Sequence, residues 1–498
     1  MKLRPIQNLL GLSALTTAIL LTGCGGGGGG SDGSDAGSSD SATQYAFSSK
    51  FLDGESAVSY TGQTARQILV ADLTEAIGDL EKEAGAEVVT DIGFYISGDV
   101  DTTNYLFEIT DETVEPGPTY GDISTGKTLD GKIAGGDGSG GGETSMLIGD
   151  EFFGWVEGMD GDPLPIELVD YLLAELQTTV RDVTDPTIDV TGGDAIITSA
   201  TVDTKGRDFK QLIQKFLLGA VNFSQGTNDY LQYDFSGANT QDGTKAYTTA
   251  EHKWDESFGY FGAARNYNDY TDTEIRAQSG RAEYANGYND LSGDGLIDLR
   301  SEINLSNSVN CAKRDIGRTT DFTKTAFDAF LAGRQALNEA AGNTLTADQI
   351  TALDATLETQ AGIAAKTWEK CISATVVHYI NDLRSDLSNY EGDNFADLDN
   401  YMDVAKHWSE MKGFALGLQF SPYSPFRDGS VAGIDVDDLK QIFELMGDAP
   451  VLADGSQNGV AATGDAATAV AEYRADLLTA QGILQTAYEF DATDVDNW

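Results

Sequence analysis

The stretch Gly62-Gln-Thr-Ala-Arg-Gln-Ile-Leu-Val-Ala-Asp-Leu-Thr-Glu-Ala-Ile-Gly-Asp-Leu80 decides the fold class. Ala65, Ile68, Leu69, Leu73, Ile77 and Leu80 recur at steps of three and four, which gathers them on one face of an α-helix. The spacing predicts a helix from about Gly62 to Ala84. The same period returns over Ile166–Val180, where Pro165 suits the first turn, and through Phe209, Leu212, Ile213, Phe216 and Leu217. It returns again near Ala246–Ala264, Thr320–Ala340, Ala347–Leu387 with a break expected near Gly362, Leu398–Leu418, Val436–Met446 and Ala466–Tyr488. So many one-sided helices bury their apolar faces best against one another, which predicts a mainly α fold of antiparallel helical bundles. Between them, Val100–Gly158 is rich in Gly, Thr and Asp and carries Pro116 and Pro118. It reads as long loops with a short β-hairpin over Asn104–Ile109. Asp182–Gly206 reads as a second hairpin through Ala195–Thr201.

The start of the chain has its own logic. Lys2 and Arg4 precede an uncharged apolar run, Leu9–Leu21, which closes on Leu21-Thr22-Gly23-Cys24. This is the layout of a secretory signal and is too short to span a membrane. Its last four residues resemble the bacterial lipobox. The resemblance implies cleavage before Cys24, diacylglycerol on its thiol and acylation of the new amino terminus. Several acyl chains make a stable anchor, each buried methylene adding roughly 0.8 kcal/mol. Gly25, rather than Asp, follows the cysteine, which in such lipoproteins implies the outer membrane of a Gram-negative cell envelope. Gly25–Gly30 and the Ser/Asp/Gly run to Thr43 cannot form a core and read as a flexible tether. The expected organisation is therefore a signal at 1–23, a lipidated tether at 24–43 and a helical body at 44–498, as one domain or two bundles.

Asp and Glu number 80 against 31 Lys and Arg, a formal charge of −49. Such a surface repels nucleic acid and excludes it as a partner. The acids are scattered rather than blocked, as on proteins adapted to salt water; collecting cations is the other use. Three cysteines occur. With Cys24 as the anchor, Cys311 and Cys371 remain, and export puts them where disulfides form. A bond between them would close a loop of about 60 residues, worth about 4 kcal/mol by chain entropy.

Two groups of residues have metal-ligand spacing. Asp290, Ser292, Asp294, the Leu296 carbonyl and Asp298 alternate around Gly295 like the oxygens of a calcium loop. The closing acid comes one position late, at Glu302, with Ser301 at the twelfth place. A calcium ion or a polar turn both suit this stretch. The second group lies on two predicted helices. His252 shares a face with Asp255 and Glu256, and His407 with Glu410. Imidazole and carboxylate on facing helices suit zinc or iron. The same spacing also suits buried hydrogen bonds that orient helices, with Trp254, Phe258, Trp408 and Phe414 as core. The third histidine, His378, lies beside Tyr379 on an apolar helix and reads as a satisfied core residue.

The lipobox, the helical body and His407-x-x-Glu410 resemble the imelysin-like lipoproteins. The stretches Ser59–Arg66, Leu129–Gly135, Gly219–Gly226 and His252–Gly262 look like an uncharacterised branch near that family. The resemblance implies two bundles with a pocket between them and a link to iron or to periplasmic metal uptake. Ala405 replaces the glycine of the family's Gly-x-His-x-x-Glu, and the other helix has Ala250 and Asp255 at the matching places. There is no zinc-protease His-Glu-x-x-His, no phosphate loop and no Gly-x-Ser-x-Gly. The function expected is non-catalytic binding of a metal ion or metal complex, with His252, Glu256, His407 and Glu410 as ligands and Asp255 in support. A metallohydrolase using the same cleft and a calcium-braced structural or adhesive module are the rivals. The membrane is reached through the lipid anchor; no protein partner can be read from the sequence.

Overall fold

The apolar stripe at Gly62–Leu80 is helical in the computed structural model from Thr61 to Gly78 (α1), with Ala65, Ile68, Leu69, Leu73 and Ile77 buried. The structure describes residues 43–80, 85–109, 112–136, 147–180, 187–190, 193–388 and 400–498. The signal, Cys24 and nearly all of the tether lie outside these residues. Further helices are α2 (Gly85–Ser97), a single turn α3 (Tyr120–Ile123), α4 (Pro165–Thr179), α5 (Phe209–Leu217), α6 (Thr249–Phe261) and a single turn α7 (Asp272–Ile275). The second half adds α8 (Ser306–Asp315), α9 (Phe322–Ala340), α10 (Ala347–Ser388), α11 (Asn400–Gly417), α12 (Val436–Met446), α13 (Ala466–Tyr488) and the turn α14 (Ala492–Val495). The fold is a mainly α helical bundle.

Its spine is α10, against which α8, α9, α11 and α13 all pack. The helix runs unbroken through Gly362, contrary to the expected break. One interior glycine costs only about 1 kcal/mol, and the buried Ala361, Ala364 and Ala365 around it hold the helix to its neighbours. One large core extends through the body, with Trp254, Trp368 and Trp408 fully buried, and a small second cluster gathers Ile197, Val202, Tyr401, Ala405 and Leu452. Residues Ser41–Trp498 form one compact unit.

The strands are few among the described residues. β1 (Val114–Glu115) pairs in parallel with β4 (Ile297–Asp298), and β2 (Thr187–Val190) pairs antiparallel with β3 (Gly193–Ile196). The expected hairpin at Asn104–Ile109 is not one: Asn104 makes a lone bridge to Thr119, and Asp72 on α1 binds the Leu106 amide at 2.8 Å. The second hairpin exists but lies earlier than Ala195–Thr201, because β2 supplies the partner strand.

Two elements carry little of the apolar signal. Ser306–Asp315 is too polar to show a stripe, yet it is helical and buries Cys311 and Ala312, and Cys311 is disulfide-bonded to Cys371 of α10. After α5 the chain continues as two π-helical turns, Leu218–Phe223 and Gln225–Tyr230, an uncommon winding that accumulates at functional places. Gly219 there meets Gly417 of α11, where a Cβ would lie 2.6 Å from the opposing Cα. Only glycine permits that approach.

Candidate functional site

The residues expected to share one metal site belong to two separate networks. On α6, His252 Nδ1 meets the Ser59 carbonyl at 2.9 Å, its ring stacks on Tyr247, and its Nε2 is 3.9 Å from Glu256. Glu256 also accepts from Gln63 at 3.0 Å and stands 3.6 Å from Lys253. Asp255 points the other way, into a fully buried pair with Arg334 at 2.7 Å, and accepts from Tyr45 and the Ser59 amide. That commitment removes it from any support of His252. On α11, His407 Nδ1 binds Asp386 at 2.7 Å, while Glu410 faces Lys215 at 3.6 Å and the Tyr379 hydroxyl. The reason is packing: α6 lies on α1, α9 and chiefly the second π-helical turn, whereas α11 lies on α10, α5 and the first. Among the described residues, no three His, Cys, Asp or Glu side chains close around a point at metal-ligand distance.

The α6 network joins four stretches singled out in the sequence. Ser257 donates to the Gly226 carbonyl at 2.9 Å, Ala134 to that of Ala220 at 2.8 Å, and Gln67 to that of Gly259 at 2.7 Å. With His252 on Ser59, these bonds fasten Ser59–Arg66, Leu129–Gly135, Gly219–Gly226 and His252–Gly262 to one another. Lys132 and Lys253 lie over the Tyr230 ring, at 5.7 and 5.1 Å.

The calcium-like loop folds on its own groups. Asp290 accepts from the amides of Gly293, Asp294 and Gly295, and Asp294 from that of Leu296. Glu302, buried, closes the loop by accepting from Ser292 at 2.8 Å and Asp298 at 2.9 Å. Asp298 is taken by Arg300 at 2.7 Å.

The α10–α11 corner holds more chemistry than expected. His378, Asp382 and Asp386 follow at four-residue steps along one face of α10. His378 Nε2 lies 3.3 Å from Asp382 Oδ2, and His407 Nε2 lies 4.0 Å from the same oxygen. His378 is half-buried rather than in the core: its side chain is 27% exposed, is satisfied by a backbone hydrogen bond with Trp498 and faces an acid. The spacing His378-x-x-x-Asp382-x-x-x-Asp386 was visible in the sequence; what was hidden is that His407 meets it from α11. The two histidines titrate oppositely. Burial, then Arg314, pushes His378 down to about 3. Burial also works against the His407 cation, but the hydrogen bond and charge of Asp386, with Asp382, outweigh it and raise His407. Asp382 is pushed up by burial, against the pull of His407.

Cations close the corner from α8. Arg314 and half-buried Lys313 lie there, with Arg276 after α7 and Lys215 on α5. Burial, then Lys215 and Arg314, lowers Lys313 to about 8. Burial lowers Arg314 to about 10, with Tyr379 and Asp382 opposing and Arg276 adding to the drop. The disulfide fixes this layout, since Cys311 is one helical turn before Arg314 and Cys371 two turns before His378.

A family model described as a domain of unknown function, DUF4856, spans residues 189–421. All of the α8, α10 and α11 corner falls inside it, as does the α6 side of the other network. Among curated proteins and solved structures, none matches the chain.

Proposed function

We propose that the chain is an exported, lipid-anchored protein of the cell envelope that binds a metal ion or metal complex without turning it over. Its site is the corner formed by His378, Asp382 and His407, in place of a site shared by His252 and His407. One observation carries this reading: two imidazole Nε2 atoms approach a single oxygen, Asp382 Oδ2, at 3.3 and 4.0 Å. Asp386 on His407 Nδ1 supplies the outer carboxylate that orients a ligating imidazole. Ligand atoms around a zinc ion with bonds of about 2.1 Å stand roughly 3.4 Å apart; the three side chains as they stand do not close around a point, so binding would have to draw both imidazoles in toward Asp382. Binding is favoured over turnover because the acids at hand are engaged, Asp386 by His407 and Glu410 by Lys215. The His407-x-x-Glu410 likeness to imelysin-like lipoproteins points the same way, and the lipobox at Leu21–Cys24 gives the location.

Titration of the purified mature chain with Zn(II) and Fe(II), with metal analysis after desalting, tests the site. One equivalent is expected, with affinity at least tenfold lower in His407→Ala and unchanged in His252→Ala. No titratable metal, or equal loss in both variants, sinks the proposal. Labelled fatty acid incorporated by the wild-type chain and absent from Cys24→Ser tests the anchor.

A further inference from the structure

We infer that the cations behind this corner form a binding site for a small oxyanion carrying two or more negative charges, held by Arg314 with Lys313 and Arg276. Arg314 is only 8% exposed. Among the described residues its guanidinium makes no hydrogen bond and no ion pair, and its Nε is buried without a partner. Lys313 and Arg276 likewise have no ion pair among the described residues, and Arg276 Nε is also buried and unpartnered. The three act on one another as like charges.

Other buried cations are paired with acids, while Arg66 is held by backbone carbonyls and the Nε atoms of Arg318 and Arg427 are, like that of Arg314, buried without a partner among the described residues. Arg207 holds Asp203, Glu157 and Glu175 at 2.7, 2.7 and 3.0 Å. Lys412 has Asp448 at 3.7 Å. With 80 acids against 31 Lys and Arg, partners are abundant. A guanidinium whose Nε is buried without a partner is costly, and its planar fork matches carboxylate and phosphate oxygens. The field of a chain at −49 repels anions, so a singly charged one gains too little; a compact, multiply charged one gains from all three cations at once. Solvent reaches the place beside His378 and Asp382, whose side chains are 27% and 37% exposed. The inference does not rest on the metal reading, since none of the three cations is a metal ligand.

The probes are inorganic phosphate and citrate, titrated calorimetrically into the purified mature chain in a chloride buffer freed of metal by chelation. At least one is expected to bind saturably, weakened tenfold or more in Arg314→Gln and severalfold in Arg276→Gln and Lys313→Met. His407→Ala, which removes the metal corner, is expected to retain the anion. The Arg314→Gln chain is also expected to melt higher than wild type without anion, as an arginine kept for a ligand should. No saturable binding of either probe overturns the site. So does binding unchanged in both Arg314→Gln and Arg276→Gln. If Arg314→Gln does not fold, the Arg276→Gln and Lys313→Met titrations decide by the same criterion.

Discussion

Two buried arginines in this helical body have opposite surroundings. Arg334 on α9 is fully buried and saturated: Nε to Asp255 and one terminal nitrogen to Glu251, both at 2.7 Å, the other to the Ala57 carbonyl at 2.9 Å. Asn338 and Tyr45 donate to the same two oxygens, and the Thr248 and Ser59 amides take up the other oxygen of each acid. Burial opposes the Arg334 charge, but Asp255 and Glu251 outweigh it and hold it firmly cationic. Arg314 on α8 is nearly as buried and has none of this. The first ties α6, α9 and the segment before α1 together. Among the described residues the second makes no ion pair and no side-chain hydrogen bond; Asp382 and Tyr379 of α10 favour its charge, but burial outweighs them. A charge that is buried and satisfied belongs to the scaffold; one that is buried and unsatisfied marks where something else belongs.

The largest effect should come from breaking the saturated cluster. Arg334→Met leaves Glu251 and Asp255 buried without a counter-charge and should cost about 3–5 kcal/mol, read by urea unfolding. Next is the disulfide that sets α8 against α10. Replacing Cys311 and Cys371 together by Ala should cost about 4 kcal/mol and loosen the corner, so any titratable metal or anion should weaken with it.

A third buried charge sharpens the contrast by pH. Glu369 on α10 is fully buried, accepts from the Tyr488 hydroxyl at 2.7 Å, and is pushed by burial from 4.5 up to about 7. A carboxyl raised in the folded state is stabilising while protonated. That contribution is complete below the unfolded value and is lost as pH rises through about 7. Glu369→Gln, permanently neutral, should therefore change little at pH 4 and melt higher than wild type at pH 8, by the equivalent of about 3 kcal/mol. The smallest effect is that of Arg314→Met, which should stabilise the unliganded chain by about 1–2 kcal/mol.

The sequence shows the scaffold more readily than the site, for a physical reason. α1, α9, α12 and α13 are legible because their buried faces are apolar and repeat at the helical period. α8 is not, since Ser306-Asn-Ser-Val-Asn-Cys-Ala-Lys-Arg-Asp315 offers only Val309, Cys311 and Ala312 as apolar residues and is held by its disulfide. Helical spacing places His252 beside Glu256 and His407 beside Glu410, because i and i+3 or i+4 are local facts. It cannot tell that Asp255 turns to Arg334, that Glu410 turns to Lys215, or that His407 meets Asp382 and Asp386 across a helix interface. Least visible is the missing partner of Arg314, which exists only once every neighbouring element is in place.

The most direct test is therefore a paired melting experiment on the purified mature chain, in metal-free chloride buffer without phosphate or citrate. Arg334→Met should melt well below wild type and Arg314→Met above it. If Arg314→Met instead falls by as much as Arg334→Met, Arg314 is part of the scaffold, and the distinction between the two arginines is wrong.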